Sequence, residues 1–93
     1  MSRDDDGRAA VEQYLRDELP EASMTSLDIP GGTGFLVRLA SPELGCDVIV
    51  ALDFVQDHDA GEIPAVLAEW AVGDRVRAGR LVIITSSGVT TET

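Results

Sequence analysis

The sequence predicts a small α/β protein with a four-stranded mixed sheet and two helices packed on it, in the order α-β-β-β-α-β. Three observations predict this class. Apolar residues recur at helical spacing near the start of the chain and again after its middle. Alternating or continuous apolar runs of strand length lie between and after these segments. The chain has 93 residues, 44% of them apolar, which suits one hydrophobic core.

The first helix is predicted over residues 6–19. Apolar side chains recur there every three or four residues, which places them on one face of a helix. That face carries Val11, Tyr14, Leu15 and Leu19. Pro20 ends the helix, because a proline disfavours helical backbone in the residue before it.

Three strands are predicted to follow the first helix. The first covers residues 22–29 and is joined to the second, residues 35–40, by a glycine-rich hairpin turn over residues 30–34. The third covers residues 46–55. Its centre, residues 48–52, is apolar on both faces, so we expect this strand in the middle of the sheet with both faces covered.

The second helix is predicted to begin around Pro64, because proline suits the first turn of a helix. It ends at Gly73 or continues to Ala78, where Gly79 would terminate it. Its buried stripe is formed by Ile63, Val66, Leu67 and Trp70. A short, fully apolar run over residues 81–84 predicts a buried fourth strand.

The elements together predict one small acidic domain over residues 1–93. Segments 1–5 and 86–93 are polar, so we expect them to fray. The N-terminal segment lacks the apolar stretch of a signal peptide, and no run approaches the ~20 apolar residues of a transmembrane helix. The sequence therefore predicts a cytoplasmic protein that binds no membrane.

The charge of the chain is its most informative functional feature. The sequence holds 17 acidic residues against seven arginines and no lysine, which gives a formal net charge of −10. Eight carboxylates and no basic residue lie between Pro42 and Asp74. They are Glu43, Asp47, Asp53, Asp57, Asp59, Glu62, Glu69 and Asp74. A salt-adapted host or a GC-rich genome would also favour an acidic, lysine-free chain, but neither explains why the acids cluster.

This acidic block predicts a non-enzymatic protein-interaction domain: an inhibitor, an immunity-type protein or an adaptor that binds a basic partner surface. One candidate partner is a nucleic-acid-binding protein, to which the acids would present a mimic of nucleic acid phosphates. A net charge of −10 opposes direct binding of this chain to nucleic acid. The predicted contact residues are Asp53, Asp57, Asp59, Glu62 and Glu69. No cofactor is predicted, and an apolar sheet edge makes a homodimer conceivable.

The sequence offers little for catalysis. Cys46 is the only cysteine, so an intramolecular disulfide and a cysteine zinc site are both excluded. His58 is the only histidine, and the residues around it do not form a nucleophile motif. The carboxylates near His58 do not have the spacing of an EF-hand loop, so a helix-capping, solvated loop is the preferred interpretation.

The element order is similar to the common core of restriction-endonuclease-like proteins, and residues 78–90 resemble the last core strand and following turn of Mrr-type members. In that family an acidic residue and a Glu/Gln-x-Lys element hold Mg²⁺. The matching strand here, residues 47–53, has Asp47 and Asp53 but no such element. The resemblance implies a degenerate, non-cutting copy. Two alternatives stay open: a divergent metal-dependent hydrolase using Asp47 and Asp53, and a structural subunit of a larger assembly.

A second resemblance lies in residues 72–79, which are similar to the turn-and-strand signature of biotinyl and lipoyl carrier domains. Those domains carry their cofactor on a lysine, which this chain lacks, so it is not a conventional carrier. The only basic cluster, Arg75, Arg77 and Arg80, lies in and next to this segment. We expect these arginines to make intramolecular or dimer contacts.

Overall fold

The chain forms a helix, a meander of three strands, a crossover of three short helices and a final pair of strands. The structure is a computed structural model that describes residues 3–42 and 44–92, which contain four helices and five strands. The elements are α1 (Arg3–Glu18), β1 (Ser23–Asp28), β2 (Gly34–Ser41), β3 (Leu44–Ala51), α2 (Leu52–Asp57), α3 (Ile63–Glu69), α4 (Val72–Ala78), β4 (Leu81–Thr85) and β5 (Gly88–Glu92).

The strands form one mixed sheet with the order β1-β2-β3-β4-β5. The first three are an antiparallel meander, β4 pairs parallel with β3, and β5 returns antiparallel to β4. Parallel strands need a long crossover, and α2, α3 and α4 together provide it. The predicted α/β class and mixed sheet are confirmed, but the sheet has five strands rather than four, and the described chain has four helices rather than two. The middle strand is β3.

The third strand is shorter than predicted. It ends at Ala51, and α2 begins at Leu52, so the prediction of a strand to residue 55 is wrong. Phe54 and Val55 are neighbours in sequence and are both buried. Consecutive side chains of a strand point to opposite faces, whereas a helix can direct both toward one core. The helix therefore buries two large apolar groups where a strand would expose one.

The predicted second helix is two helices. Pro64 lies in the first turn of α3, as predicted, but the chain breaks at Ala71, which has a left-handed backbone with φ of 56°. Gly73 does not end a helix. It lies in α4, where an added Cβ would come within 3.1 Å of the Glu18 carboxyl group. Residues 72–79 thus begin as a helix rather than as the turn and strand of a carrier domain.

The chain ends differ from the expected frayed segments. Residues 3–5 belong to α1, and residues 88–92 form β5, which pairs with β4 along its length. Val89 of β5 packs against the core, which helps to hold this otherwise polar strand. Residues 1, 2, 43 and 93 lie outside the described chain.

The helices cover one face of the sheet. The predicted apolar face of α1 is confirmed, because all four of its residues are buried. The strands contribute the other half of this core through alternate side chains, which are 0–4% exposed. They are Phe35, Val37, Leu39, Cys46, Val48, Val50, Val82 and Ile84. The opposite side chains of the same strands are half-buried or exposed, so the prediction that β3 is covered on both faces is wrong.

The glycine-rich turn joins β1 to β2 as a hairpin, as predicted. Ile29 N–H donates to the Gly34 carbonyl at 3.1 Å and closes the turn. Gly34 has φ of 152°, and an added Cβ there would clash with the carbonyl oxygen of Val50. This glycine therefore permits the close pairing at the start of β2. No helix in the described part of the chain is both long and apolar enough to cross a bilayer.

Candidate protein-binding surface

Carboxylates from several elements meet at one end of the sheet, where β1 and β3 finish. The antiparallel register places Asp28, Gly34 and Ala51 at this end, and Asp53 follows directly in α2. We call this surface the acidic end. It is formed by Asp5, Asp28, Asp53, Asp57, Asp59 and Glu62.

The start of α1 also lies at this end. Arg8 of α1 forms an ion pair with Asp28, and its guanidinium lies 5.0 Å from the centroid of the Phe35 ring. Its Nη2 donates to Ser26 Oγ at 2.7 Å. Partial burial is the largest single influence on the pKa of Arg8 and lowers it. The hydrogen bonds and charges of Asp28 and Glu12 together outweigh burial, so the pKa of Arg8 lies above its usual value. Arg8 therefore ties α1 to β1.

A shallow cleft of about 120 Å³ lies beside this tie. Asp5, Arg8 and Asp28 form its polar wall, and Leu52 and Val55 contribute to its apolar wall. The cleft brings the first turns of α1 next to α2. The carboxylates in its lining are those of Asp5 and Asp28.

Asp53 has a structural role at this end. Its carboxylate accepts the backbone N–H of Ser86 at 3.2 Å and the Ser86 hydroxyl at 3.0 Å. These bonds connect α2 to the turn between β4 and β5. Asp53 is exposed nevertheless, so its remaining lone pairs face solvent.

Asp57, Asp59 and Glu62 lie where the chain turns from α2 into α3. The Glu62 carboxylate accepts the Asp59 N–H at 2.9 Å, and the Asp59 carbonyl accepts the N–H groups of Glu62 and Ile63. All three carboxylate residues are exposed. The start of α3 packs against α1, because an added Cβ at Gly7 would lie 3.4 Å from the Ile63 side chain.

Glu69 is the predicted contact residue that the fold carries away. From Ile63, α3 runs alongside α1, so that the Leu67 carbonyl comes within 3.5 Å of the Tyr14 hydroxyl. Glu69, at the end of α3, is exposed on the helical layer but lies about 10 Å along the axis from Glu62. Four of the five predicted residues meet at the acidic end, and Glu69 does not.

Asp5 and Asp28 were not among the predicted contact residues. Both lie outside the basic-free block, in α1 and β1, and join it only through the fold. The one indirect signal in the sequence concerns Asp28, because the predicted hairpin after β1 places it at the end of the sheet where β3 also ends.

The arginines mostly lie elsewhere. Arg75 donates to the Trp70 carbonyl at 3.0 Å and to Thr91 Oγ1 at 3.1 Å, and Arg77 donates to the Glu18 carbonyl. Arg80 precedes β4, and Arg38 lies beside it at the opposite end of the sheet from Asp53. Arg75 and Arg77 thus make intramolecular contacts.

His58 and Cys46 are placed as structural residues. Because a carbonyl only accepts, His58 Nδ1–H donates to the Phe54 carbonyl at 2.9 Å, and the ring packs 4.7 Å from that of Phe54. The ring centroid of Trp70 lies 6.2 Å away. Cys46 is buried in the core, and burial raises the pKa of its thiol to about 11, with a further contribution from the Asp47 charge. A thiol in this form is a poor nucleophile at neutral pH.

The residues suggested for a metal do not fit one. Asp47 lies on β3 and is paired with Arg38 at 3.0 Å, whereas Asp53 lies beyond the far end of that strand and binds Ser86. Ala51, the last residue of β3, is four positions and about 13 Å along the strand from Asp47, and Asp53 lies beyond it. The carboxylates of Asp47 and Asp53 therefore cannot share one cation. Among the described residues no three His, Cys, Asp or Glu side chains group as metal ligands.

Comparison with known proteins gives no family. No protein-family model, no curated protein and no solved structure matches this chain.

Proposed function

We propose that this chain is a non-enzymatic protein-interaction domain whose acidic end binds a basic surface of a partner protein. The observation that carries the proposal is the meeting of six carboxylates from three elements and the α2–α3 loop at one end of the sheet. Among the side chains that the structure describes there, the cation is Arg8, which already binds Asp28 and Ser26.

The physical basis is like charge concentrated on an exposed surface. Asp57 and Glu62 are exposed and form no ion pair with the described arginines. Their mutual repulsion is relieved when a partner supplies cations, and the field around them speeds the encounter with such a partner. A field of this sign also disfavours approach to phosphate backbones.

The chemistry of the partner follows from this field. A surface rich in arginine and lysine, such as the phosphate-binding face of a nucleic-acid-binding protein, complements it. Asp53 is held in place by Ser86, and the Asp59 N–H is held by Glu62, so part of the surface is ordered before binding. Preorganisation lowers the entropy cost of association. An inhibitor, immunity-type or adaptor role is the corresponding class of function.

Affinity capture from a lysate of the source organism tests the proposal, with three versions of the full chain as bait. The test variant is Asp57→Lys with Asp59→Lys. The control variant is Asp17→Lys with Glu21→Lys, which changes the net charge equally at exposed positions of the opposite end. We expect the wild type and the control to retain the same basic protein at about 0.1 M salt and to lose most of it at about 1 M.

The test variant should lose that protein at low salt, because two reversed charges remove the local field. Retention by the test variant would contradict the proposal. Equal loss from both variants would also contradict it, because net charge rather than the acidic end would then decide binding.

The resemblance to restriction-endonuclease-like cores stays a prediction, and its metal-dependent version is the weaker alternative because Asp47 and Asp53 lie apart. Calorimetric titration with Mg²⁺ or Mn²⁺ tests it directly. Binding that disappears in Asp53→Asn would favour the hydrolase alternative over the interaction domain. A structural-subunit role would instead show as rings or filaments in light scattering.

A further inference from the structure

None of the four described helices covers the second face of the sheet. In register across four neighbouring strands lie Leu27, Leu36, Ile49 and Ile83, so their side chains form a continuous apolar row. Leu81, two residues before Ile83 on β4, lies beside this row and enlarges the apolar patch. We call this surface the open face. It is formed by Thr25, Leu27, Leu36, Arg38, Asp47, Ile49, Leu81, Ile83, Thr90 and Glu92.

The open face leaves apolar area in water that the opposite face removes. Leu27 is 50% exposed, the only large apolar side chain among the described residues with that degree of exposure. Leu36, Ile49, Leu81 and Ile83 are half-buried, shielded only by their neighbours in the sheet. Contiguous apolar area of this kind on a small protein is typical of an interaction surface.

The charges of the open face nearly cancel, in contrast to the rest of the molecule. Arg38 and Asp47 face each other across β2 and β3 and form a two-pronged ion pair, with Nε–Oδ1 at 3.0 Å and Nη2–Oδ2 at 3.3 Å. Glu92 lies two strands from Asp47, and Arg80 borders the face. Two positive and two negative groups therefore lie in and beside it. A chain with a net charge of −10 meets a second copy of itself with least repulsion here.

We propose that two copies of this chain associate through their open faces, sheet against sheet. Identical partners bring the same patch to both sides of a two-fold axis, which suits a surface that is apolar and balanced in charge. A basic partner, by contrast, would be drawn to the acidic end, which this arrangement leaves accessible. The inference is independent of the proposed function and concerns a different surface.

The size of the face is sufficient for such an interface. With a rise of ~3.3 Å and a strand spacing of ~4.8 Å, each strand residue covers about 16 Å². The roughly 30 strand residues then span a plane of about 500 Å² per copy, or about 1,000 Å² in total before side-chain relief is counted. That area is at the lower limit for a specific interface, so we expect a reversible dimer.

Sedimentation equilibrium of the full chain tests the inference, from about 10 µM to about 1 mM at about 0.1 M and about 2 M salt. We expect the mass to rise with concentration from 9.9 kDa toward twice that value. We also expect association to strengthen at high salt, because salt screens repulsion between acidic molecules and strengthens apolar contacts.

Lysine substitutions on the open face should weaken dimerisation. Ile49→Lys places a cation at the centre, and Leu27→Lys changes an exposed side chain that the monomer does not need for its core. Ala65→Lys, on the exposed side of α3, is the matched control. We expect both test variants to weaken dimerisation about tenfold or more, with the control unchanged and all three folded by circular dichroism. A wild type that stays monomeric in every condition, or a dimer that survives both substitutions, would overturn the inference.

Discussion

Large apolar side chains lie on both faces of the sheet, but their surroundings differ. On β4, Val82 and Ile84 are fully buried beneath the helices, whereas Leu81 and Ile83 are only half-buried on the open face. The sequence of β4 alternates in neither size nor polarity, so its composition does not distinguish the two faces. The two faces differ because the helical layer covers only one of them. Apolar residues on the inner face therefore contribute to folding, and those on the open face are available for binding.

The largest expected effect compares two adjacent isoleucines. Ile84→Ala should lower the free energy of unfolding by about 3 kcal/mol, because it removes apolar contacts and leaves a cavity in a packed core. Ile83→Ala should cost about 1 kcal/mol in the monomer, because its side chain is already partly in water. Urea unfolding of dilute protein measures both. Equal costs would show that the open face is covered in solution.

The inner face also predicts a dependence on alkaline pH. Burial raises the pKa of Cys46 from 9.0 to about 11, so the folded protein holds the thiol proton where the unfolded chain releases it. The contribution of Cys46 to stability is thus complete below pH 9 and is lost as the pH rises toward about 11. Urea unfolding at neutral and alkaline pH should show this loss in the wild type.

Cys46→Ala is the control for the alkaline loss, since it should unfold with a smaller dependence on pH over the same window. Tyr14 adds a similar loss at higher pH in both proteins, because burial raises the pKa of its hydroxyl above 10.0. An unchanged pH dependence in Cys46→Ala would show that the thiol is not the group responsible.

A smaller effect is expected in the helical layer at Ala71. Its left-handed backbone is strained for alanine and natural for glycine, so Ala71→Gly should raise stability by about 0.5–1 kcal/mol. Ala68→Gly, in the exposed part of α3, should lower stability by about 1 kcal/mol, because glycine is a poor helix former. Thermal unfolding of the two variants should move in opposite directions. A loss in both would argue against the left-handed conformation at Ala71.

The smallest expected effect concerns the ion pair of the open face. Arg38→Ala should leave the stability of the monomer unchanged within error, because exposed ion pairs contribute little. It should nevertheless weaken dimerisation slightly, because it leaves Asp47 on the open face without its ion-pair partner. Sedimentation of this variant beside the wild type compares the two outcomes. A large loss of monomer stability would assign this pair to folding instead.

The parts of the fold that depend on periodicity could be predicted from the sequence. The apolar face of α1 and the hairpin between β1 and β2 follow from residue spacing and from glycines that permit a tight turn. The boundary between β3 and α2 could not, because Leu52, Phe54 and Val55 suit a strand or a helix equally well. The break at Ala71 also lacks a local signal, since alanine is a strong helix former.

The candidate site was predictable only where its residues are close in sequence. Asp53, Asp57, Asp59 and Glu62 lie within ten positions, and a chain reversal keeps them together. Asp28 joins them because β1 ends where β3 ends, which depends on strand order rather than on composition. The open face depends on which side of the sheet the helices cover. Arg38 and Asp47 mark that side on β2 and β3, but the apolar run over residues 81–84 of β4 does not.

Binding through the acidic end is tested most directly by the association rate between this chain and the basic protein that it captures, measured against salt concentration. We expect a rate that falls steeply with salt for the wild type and for Asp17→Lys with Glu21→Lys. We expect a slow rate with little salt dependence for Asp57→Lys with Asp59→Lys. Equal rates and equal salt dependence in all three proteins would contradict binding through the acidic end.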